Sequence, residues 1–162
     1  MAELRRKRQK GQSIVELAVG LIALIPIVLV VFDLAVIVIG VQLNDSTCRE
    51  AARVAASGKP SDQAARAAAV VARANQRSAG MLSNFIVVAG YPQSTVTQAQ
   101  ADAPPYVPYG GALNGTVTVQ TEVDIKPFVV QAAYSGKSPL TFRSQQSFPI
   151  TYVVPNVAVP FP

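Results

Sequence analysis

The stretch Arg5-Arg6-Lys7-Arg8-Gln9-Lys10-Gly11-Gln12-Ser13-Ile14-Val15-Glu16-Leu17 decides how the rest of the chain reads. A basic cluster stands ahead of Gly11, an apolar run opens behind it, and one carboxylate, Glu16, sits near the head of that run. From Leu17 to Phe32 no side chain is charged, and after Asp33 the run resumes from Leu34 to Val41. Crossing the hydrocarbon of a bilayer takes about 20 helical residues, so Leu17 to Val41 is ample. A cleavable secretory signal has a shorter apolar region, about 7–15 residues, that ends in a small-residue site. This run is longer and has no such site directly after it. Basic residues before the run and few after it predict a cytoplasmic N-terminus, with residues 44–162 on the far side.

Glu16 is the anomaly in this segment. Insertion scales put an acidic group at the centre of a spanning helix at about 2.5–3.5 kcal/mol, so an ionisable residue there is a functional hypothesis by default. The plainer reading is a carboxylate that snorkels to the headgroups. Asp33 needs either the outer headgroup level or a partner on another subunit. Pro26 lacks an N–H and crowds the preceding turn, which predicts a bend or local loosening near Ile22 to Pro26.

Composition narrows the function classes. Half of the 162 residues are apolar and only 14% are charged, which suits a membrane-anchored protein better than a soluble one. The net charge of +5 is concentrated in residues 1–11, and the remainder is close to neutral. Nucleic-acid binding is therefore not expected, although a basic run alone would permit it. Cys48 is the one cysteine and there is no histidine. An intramolecular disulfide is excluded, and cysteine–histidine zinc sites effectively so. Cys48 reads as a small apolar residue packed on a helix face, or as a thiol able to bridge two copies. No metal and no small-molecule cofactor is expected.

Beyond the apolar run the helical pattern continues to Ser57, with Arg49 and Arg53 on one face and Cys48, Ala51, Ala52 and Ala55 on another. Gly58-Lys59-Pro60 stops it. One helix over residues 14–57 would be roughly 65 Å long, well beyond a bilayer. A second helix is predicted from Asp62 to about Gly80, with Ser61 as N-cap. Its apolar stripe is Ala64, Ala67, Ala68, Val71 and Ala74, and Arg66, Arg73 and Arg77 line a different face. Asn84 to Ala89 is a short strand candidate, and residues 93–114 read as a connecting loop. The clearest strand starts at Thr116, where Val117, Val119, Val123 and Ile125 alternate with Thr118, Gln120, Glu122 and Asp124. Glu122 and Asp124 share the wet face of what reads as an edge-type strand, and a catalytic carboxylate pair is the minor reading there. Leu140 to Val154 supplies a further strand or bent pair that Pro149 confines to an edge or bulge. Asn44-Asp45-Ser46 and Asn114-Gly115-Thr116 fit the glycosylation pattern, but the chain otherwise reads as bacterial. The expected architecture is α+β: a basic leader (1–11), a long transmembrane helix continuing outside the membrane (12–57), and a head (58–162) with a second helix and a small, mostly antiparallel sheet.

The junction resembles the processing site of type IV pilin-like proteins, where a prepilin peptidase cuts after a glycine. Taken with Phe32-Asp33 near the end of the apolar segment, Cys48-Arg49-Glu50-Ala51-Ala52-Arg53-Val54-Ala55-Ala56, and a late β region including Lys126-Pro127-Phe128, the chain resembles the TadE-like family. These are pseudopilins of tight-adherence (Tad, or Flp-type) pilus systems. One departure is Leu17, where the family often has an aromatic. The resemblance implies cleavage between Gly11 and Gln12, with Gln12 the new N-terminus. The new α-amino cation would lie beside hydrocarbon, and the Glu16 carboxylate of a neighbouring subunit would neutralise it. It implies a structural role, with a prepilin peptidase and other pilin subunits as partners at a bacterial inner membrane, and no catalytic residue. The competing reading is an uncleaved single-pass protein whose β head is a binding module.

Overall fold

The computed structural model describes residues 2–78, 82–129 and 139–156, with residues 2–12 and Ser83 as backbone only. One helix, α1 (Ala2–Ala56), runs through Pro26 without interruption and dominates the molecule. Within it, Ser13–Ala56 is long and apolar enough to cross a membrane by length and composition. The helix ends where its sequence predicts. The N–H of Gly58 donates to the carbonyl of Ala55, and that of Thr151 to the carbonyl of Ala56, satisfying acceptors that a helix C-terminus leaves open.

A single 3₁₀ turn (Pro60–Asp62) leads into α2 (Gln63–Arg77). Its N-cap is Asp62 rather than Ser61, whose hydroxyl bonds the Asp62 carboxylate instead of a helix N–H. The helix stops at Arg77, and Gly80 lies outside the described residues. Its buried face is Gln63, Ala67, Val70 and Val71, whereas Ala64 and Ala68 of the expected stripe are exposed. The helix folds back along α1, so that Arg66 lies against Gly58 while Ala74 and Arg77 share a groove with Leu43.

Four strands form the main sheet: β1 (Leu82–Val87), β2 (Gln93–Ser94), β4 (Thr116–Ile125) and β5 (Leu140–Pro149). β4 is central. It pairs antiparallel with β1 and β2 along one side and with all of β5 along the other, from Thr116↔Pro149 to Ile125↔Leu140. This corrects the edge placement drawn from its polar face. Alternation reports that one face is wet, not that one edge is free. Pro149 closes β5, which among the described residues pairs with a strand on one side only, the position a proline tolerates. The stretch 93–114 is less featureless than expected: it holds β2, a one-turn helix α3 (Gln98–Ala101) closed by a Thr97–Gln100 capping box, and β3 (Gly111–Ala112). β3 pairs with β6 (Val153–Val154) in a small second sheet.

β1 carries a register shift between Ser83 and Ile86, where Asn84 adopts a left-handed φ of 62°. Asparagine tolerates that region better than most residues. The backbone groups freed at Phe85 are taken up by α2: Asn75 accepts from the Phe85 N–H at 2.8 Å and donates to its carbonyl at 2.6 Å.

Helices cover one face of the sheet and its other face is polar. The core lies between the layers in two clusters. One joins Ala51, Ala52, Ala55 and Ala56 to Val117, Val119, Leu113, Ile150 and Val154, with Ala67 and Val70 of α2. The other joins Val123, Ile125, Phe85 and Val71, with Val36 and Ile37 of α1 packed against it. The far half of α1 is therefore part of the head's core, not a stalk beneath it.

Candidate functional site

α1 has two regimes that meet at one residue. Every side chain from Ser13 to Phe32 is exposed, including Ile14, Leu21, Ile25 and Phe32. These roughly 20 residues rise about 30 Å as a helix, matching the hydrocarbon thickness of a bilayer. Glu16 stands exposed near the start of this run, with no hydrogen bond or ion pair among the described residues. Gly11 and Gln12 continue the same helix, and their side chains lie outside the described residues.

The change comes at Asp33, which is 1% exposed. One carboxylate oxygen accepts the N–H of Phe128 at 2.9 Å, and the other accepts the N–H of Val129. A buried carboxylate is tolerated when hydrogen-bond donors are fixed around it. The sequence leaves Asp33 either to headgroups or to a second subunit, and the structure gives it partners inside the chain. No sequence pattern could have paired positions so far apart, because the match depends on where the segment after β4 returns to the helix.

From Asp33 onward α1 is built into the head. At Gly40 a Cβ would fall 2.8 Å from Leu82 Cδ2 and closer still to Ile125 Cδ1, so the helix lies against the sheet at contact distance. Between the two apolar clusters runs a polar belt. The Asn44 side-chain oxygen accepts the Thr121 hydroxyl at 2.9 Å, and its amide donates to the Phe142 carbonyl at 3.2 Å. Asn44 is 1% exposed, which removes it as a glycan acceptor. The buried Cys48 thiol lies 3.2 Å from the Ser144 carbonyl and 3.4 Å from that of Val119. It is packed as a core residue and is not presented to a second copy. At the edge of the belt Asp45 accepts from Ser144 at 3.0 Å, from Gln146 at 2.9 Å and from Arg49. The Ser144 hydroxyl holds this carboxyl below its ordinary range; partial desolvation works the other way, and Gln146 and Arg49 reinforce the lowering. Asn44 and Thr121 were the residues missed by pattern reading. Thr121 is a polar side chain at a buried phase of β4, and its spacing from the neighbouring valines was the available signal.

The acidic pair on the polar face is engaged as well. Glu122 accepts from Arg143 Nε at 2.6 Å, and Asp124 accepts from Thr141 at 2.8 Å and Asn84 at 3.2 Å. Each acid serves a cross-strand contact. Among the described residues two shallow grooves stand out. One, about 230 Å³, lies between α1 and α2 with Leu43, Thr47 and Val70 on its walls and Arg73 and Arg77 at its edge. The other, about 390 Å³, is lined by Thr95, Gln100, Tyr106 and Asn114. Among the described residues no group of three or more histidine, cysteine, aspartate or glutamate side chains could hold a metal ion.

No family model matches the chain, and no curated protein or solved structure is a significant match to it.

Proposed function

We propose that this chain is a membrane-anchored pseudopilin of the TadE-like kind, a structural component of pilus assembly. A prepilin peptidase would cut between Gly11 and Gln12, and the N-terminal helix would pack with other pilin subunits. The observation that carries the reading is the two-regime helix: a bare apolar run of hydrocarbon length with an exposed carboxylate near its head, continuous with a helix buried in a small α+β head. A bare run of this kind can be surrounded by lipid or by neighbouring helices, which is what transfer from a membrane into a fibre demands. Glu16 of a neighbouring subunit would meet the α-amino cation that cutting would create at position 12, and in hydrocarbon the pairing of two charges is strongly favoured over leaving either alone. Asp33 takes no part in assembly on this reading, because its carboxylate is committed to the head.

The test is the intact mass and N-terminal peptide of the protein from native membranes. A mature chain beginning at Gln12 supports the pseudopilin; a chain that keeps Arg5 to Lys10 replaces it with an uncleaved single-pass binding module. The groove beside Tyr106 and Asn114 is the feature that favours this second reading. Glu16→Ala should still insert and be cut, yet fail to co-assemble with partner pilins; pili of normal number and composition in that variant would remove the assigned role.

A further inference from the structure

On the reading that α1 spans the membrane, we propose that the segment Lys126-Pro127-Phe128 makes a second, peripheral contact with the lipid leaflet on the head's side. The head would then be held to the bilayer at two points.

The argument begins with position. β4 descends along α1, from Val117 and Val119 beside Ala51–Ala56 to Ile125 beside Gly40. The chain then continues until the Phe128 N–H meets Asp33 at 2.9 Å. That hydrogen bond fixes Phe128 level with the residue that follows Phe32, the end of the bare apolar run. Pro127 is fully buried before it and the Val129 N–H meets Asp33 after it, so the segment is pinned on both sides of Phe128.

The second step is chemistry. With its main chain held, Phe128 turns a large apolar ring outward and is 73% exposed. Isolated exposed apolar residues are common and need no explanation. This one is held at Asp33, whose neighbours on α1, Phe32 and Leu34, are exposed too, and Lys126 is exposed two residues before it. Interfacial segments bury Phe, Trp or Leu at the boundary between headgroups and acyl chains and keep Lys at the polar level beside them. The ring would enter the upper acyl region while the ammonium meets lipid phosphate.

The chain contains no tryptophan, so a single tryptophan reports cleanly. The full-length protein would be reconstituted into phosphatidylcholine–phosphatidylglycerol vesicles as three variants: Phe128→Trp, Leu24→Trp within the bare run, and Tyr109→Trp. Tyr109 is exposed on the loop leading to β3, which follows Tyr106 and Val107 of the core around Ala51–Ala56, away from the span. Phe128→Trp leaves the hydrogen bond to Asp33 intact, because the backbone makes it. Emission at position 128 should be blue-shifted relative to position 109. It should also be quenched at least twofold by lipids brominated near the headgroup, and less by lipids brominated at the chain ends. The Leu24→Trp reporter should show the opposite depth preference. Quenching at position 24 with none at position 128 would overturn the second contact while leaving the span intact. A blue shift at position 128 without bromine quenching would also overturn it, since protein rather than lipid would then cover the ring. Absence of quenching at position 24 would remove the span and the contact together.

Discussion

At the scale of single residues, two carboxylates join the helix to the head, and their environments differ enough to be told apart. Asp33 is enclosed and accepts two backbone N–H groups. Removing the acceptor leaves those donors without it, so Asp33→Ala should cost about 2–3 kcal/mol. Asp33→Asn should cost less, because one amide oxygen can still accept. Thermal unfolding of the detergent-solubilised variants measures both, and an unchanged midpoint for Asp33→Ala would show that the hydrogen bonds contribute nothing net. Asp45 sits nearer to solvent, where charge is screened and its contribution is smaller. Its folded pKa is lowered, first by Ser144, so its contribution to stability is complete above the unfolded value near 3.8 and is lost as pH falls through the folded value. Asp45→Asn should therefore be less stable than the parent at pH 7, with the difference shrinking as pH drops below about 4. A difference that stays constant from pH 7 to pH 3 would mean that the side chain acts through packing and not through its charge.

At the scale of elements, the decisive contact is α1 against the sheet, and its closest point is Gly40. Gly40→Leu forces a branched side chain into space already filled by Leu82 and Ile125, and should cost about 1–3 kcal/mol. Gly40→Ala should cost less than the leucine variant, since its one methyl meets mainly side-chain ends, Ile125 Cδ1 and Leu82 Cδ2, and alanine gains about 1 kcal/mol in helix propensity. Equal urea midpoints for the leucine variant and the parent would show that the two layers are not in contact there. What the sequence made legible follows the same division. The bounds of β4, the stop after Ala56 and the buried face of Cys48, Ala51, Ala52 and Ala55 all come from local period and local punctuation, and each could be read directly. The centrality of β4, the Asn44–Thr121 bond and the closure of Asp33 by Phe128 and Val129 depend on pairings between distant segments, which no periodicity encodes. Gly40 lay between the two kinds: its small size was visible among the residues of the run, but the sheet that makes it necessary was not.

At the scale of the whole molecule, the folded unit does not begin where the chain leaves its long helix. Cutting at Gly58 would strip Ala51, Ala52, Ala55 and Ala56 from the first apolar cluster, and Val36 and Ile37 from the second. The buried halves of Val117, Val119, Val123 and Ile125 would then face water, at roughly 25 cal/mol for each Å² uncovered. A three-strand-wide sheet with one helix and an open apolar face has little to hold it together. A fragment of residues 58–162 should therefore be aggregated or molten, with no sharp near-ultraviolet signal and no cooperative urea transition. A fragment of residues 33–162 omits the basic N-terminal segment and the bare run, and keeps Asp33, Gly40, Asn44 and Cys48 in place. It should unfold in a single cooperative step. It retains the exposed Leu34, Val38 and Val41, so some concentration-dependent self-association is expected without loss of the transition. A cooperative transition in the shorter fragment would show that the head is complete without the helix, and α1 would then be a tether. If only the longer fragment folds, the long apolar helix is the same rigid body that organises the head, and any force on its bare half is transmitted directly to the sheet.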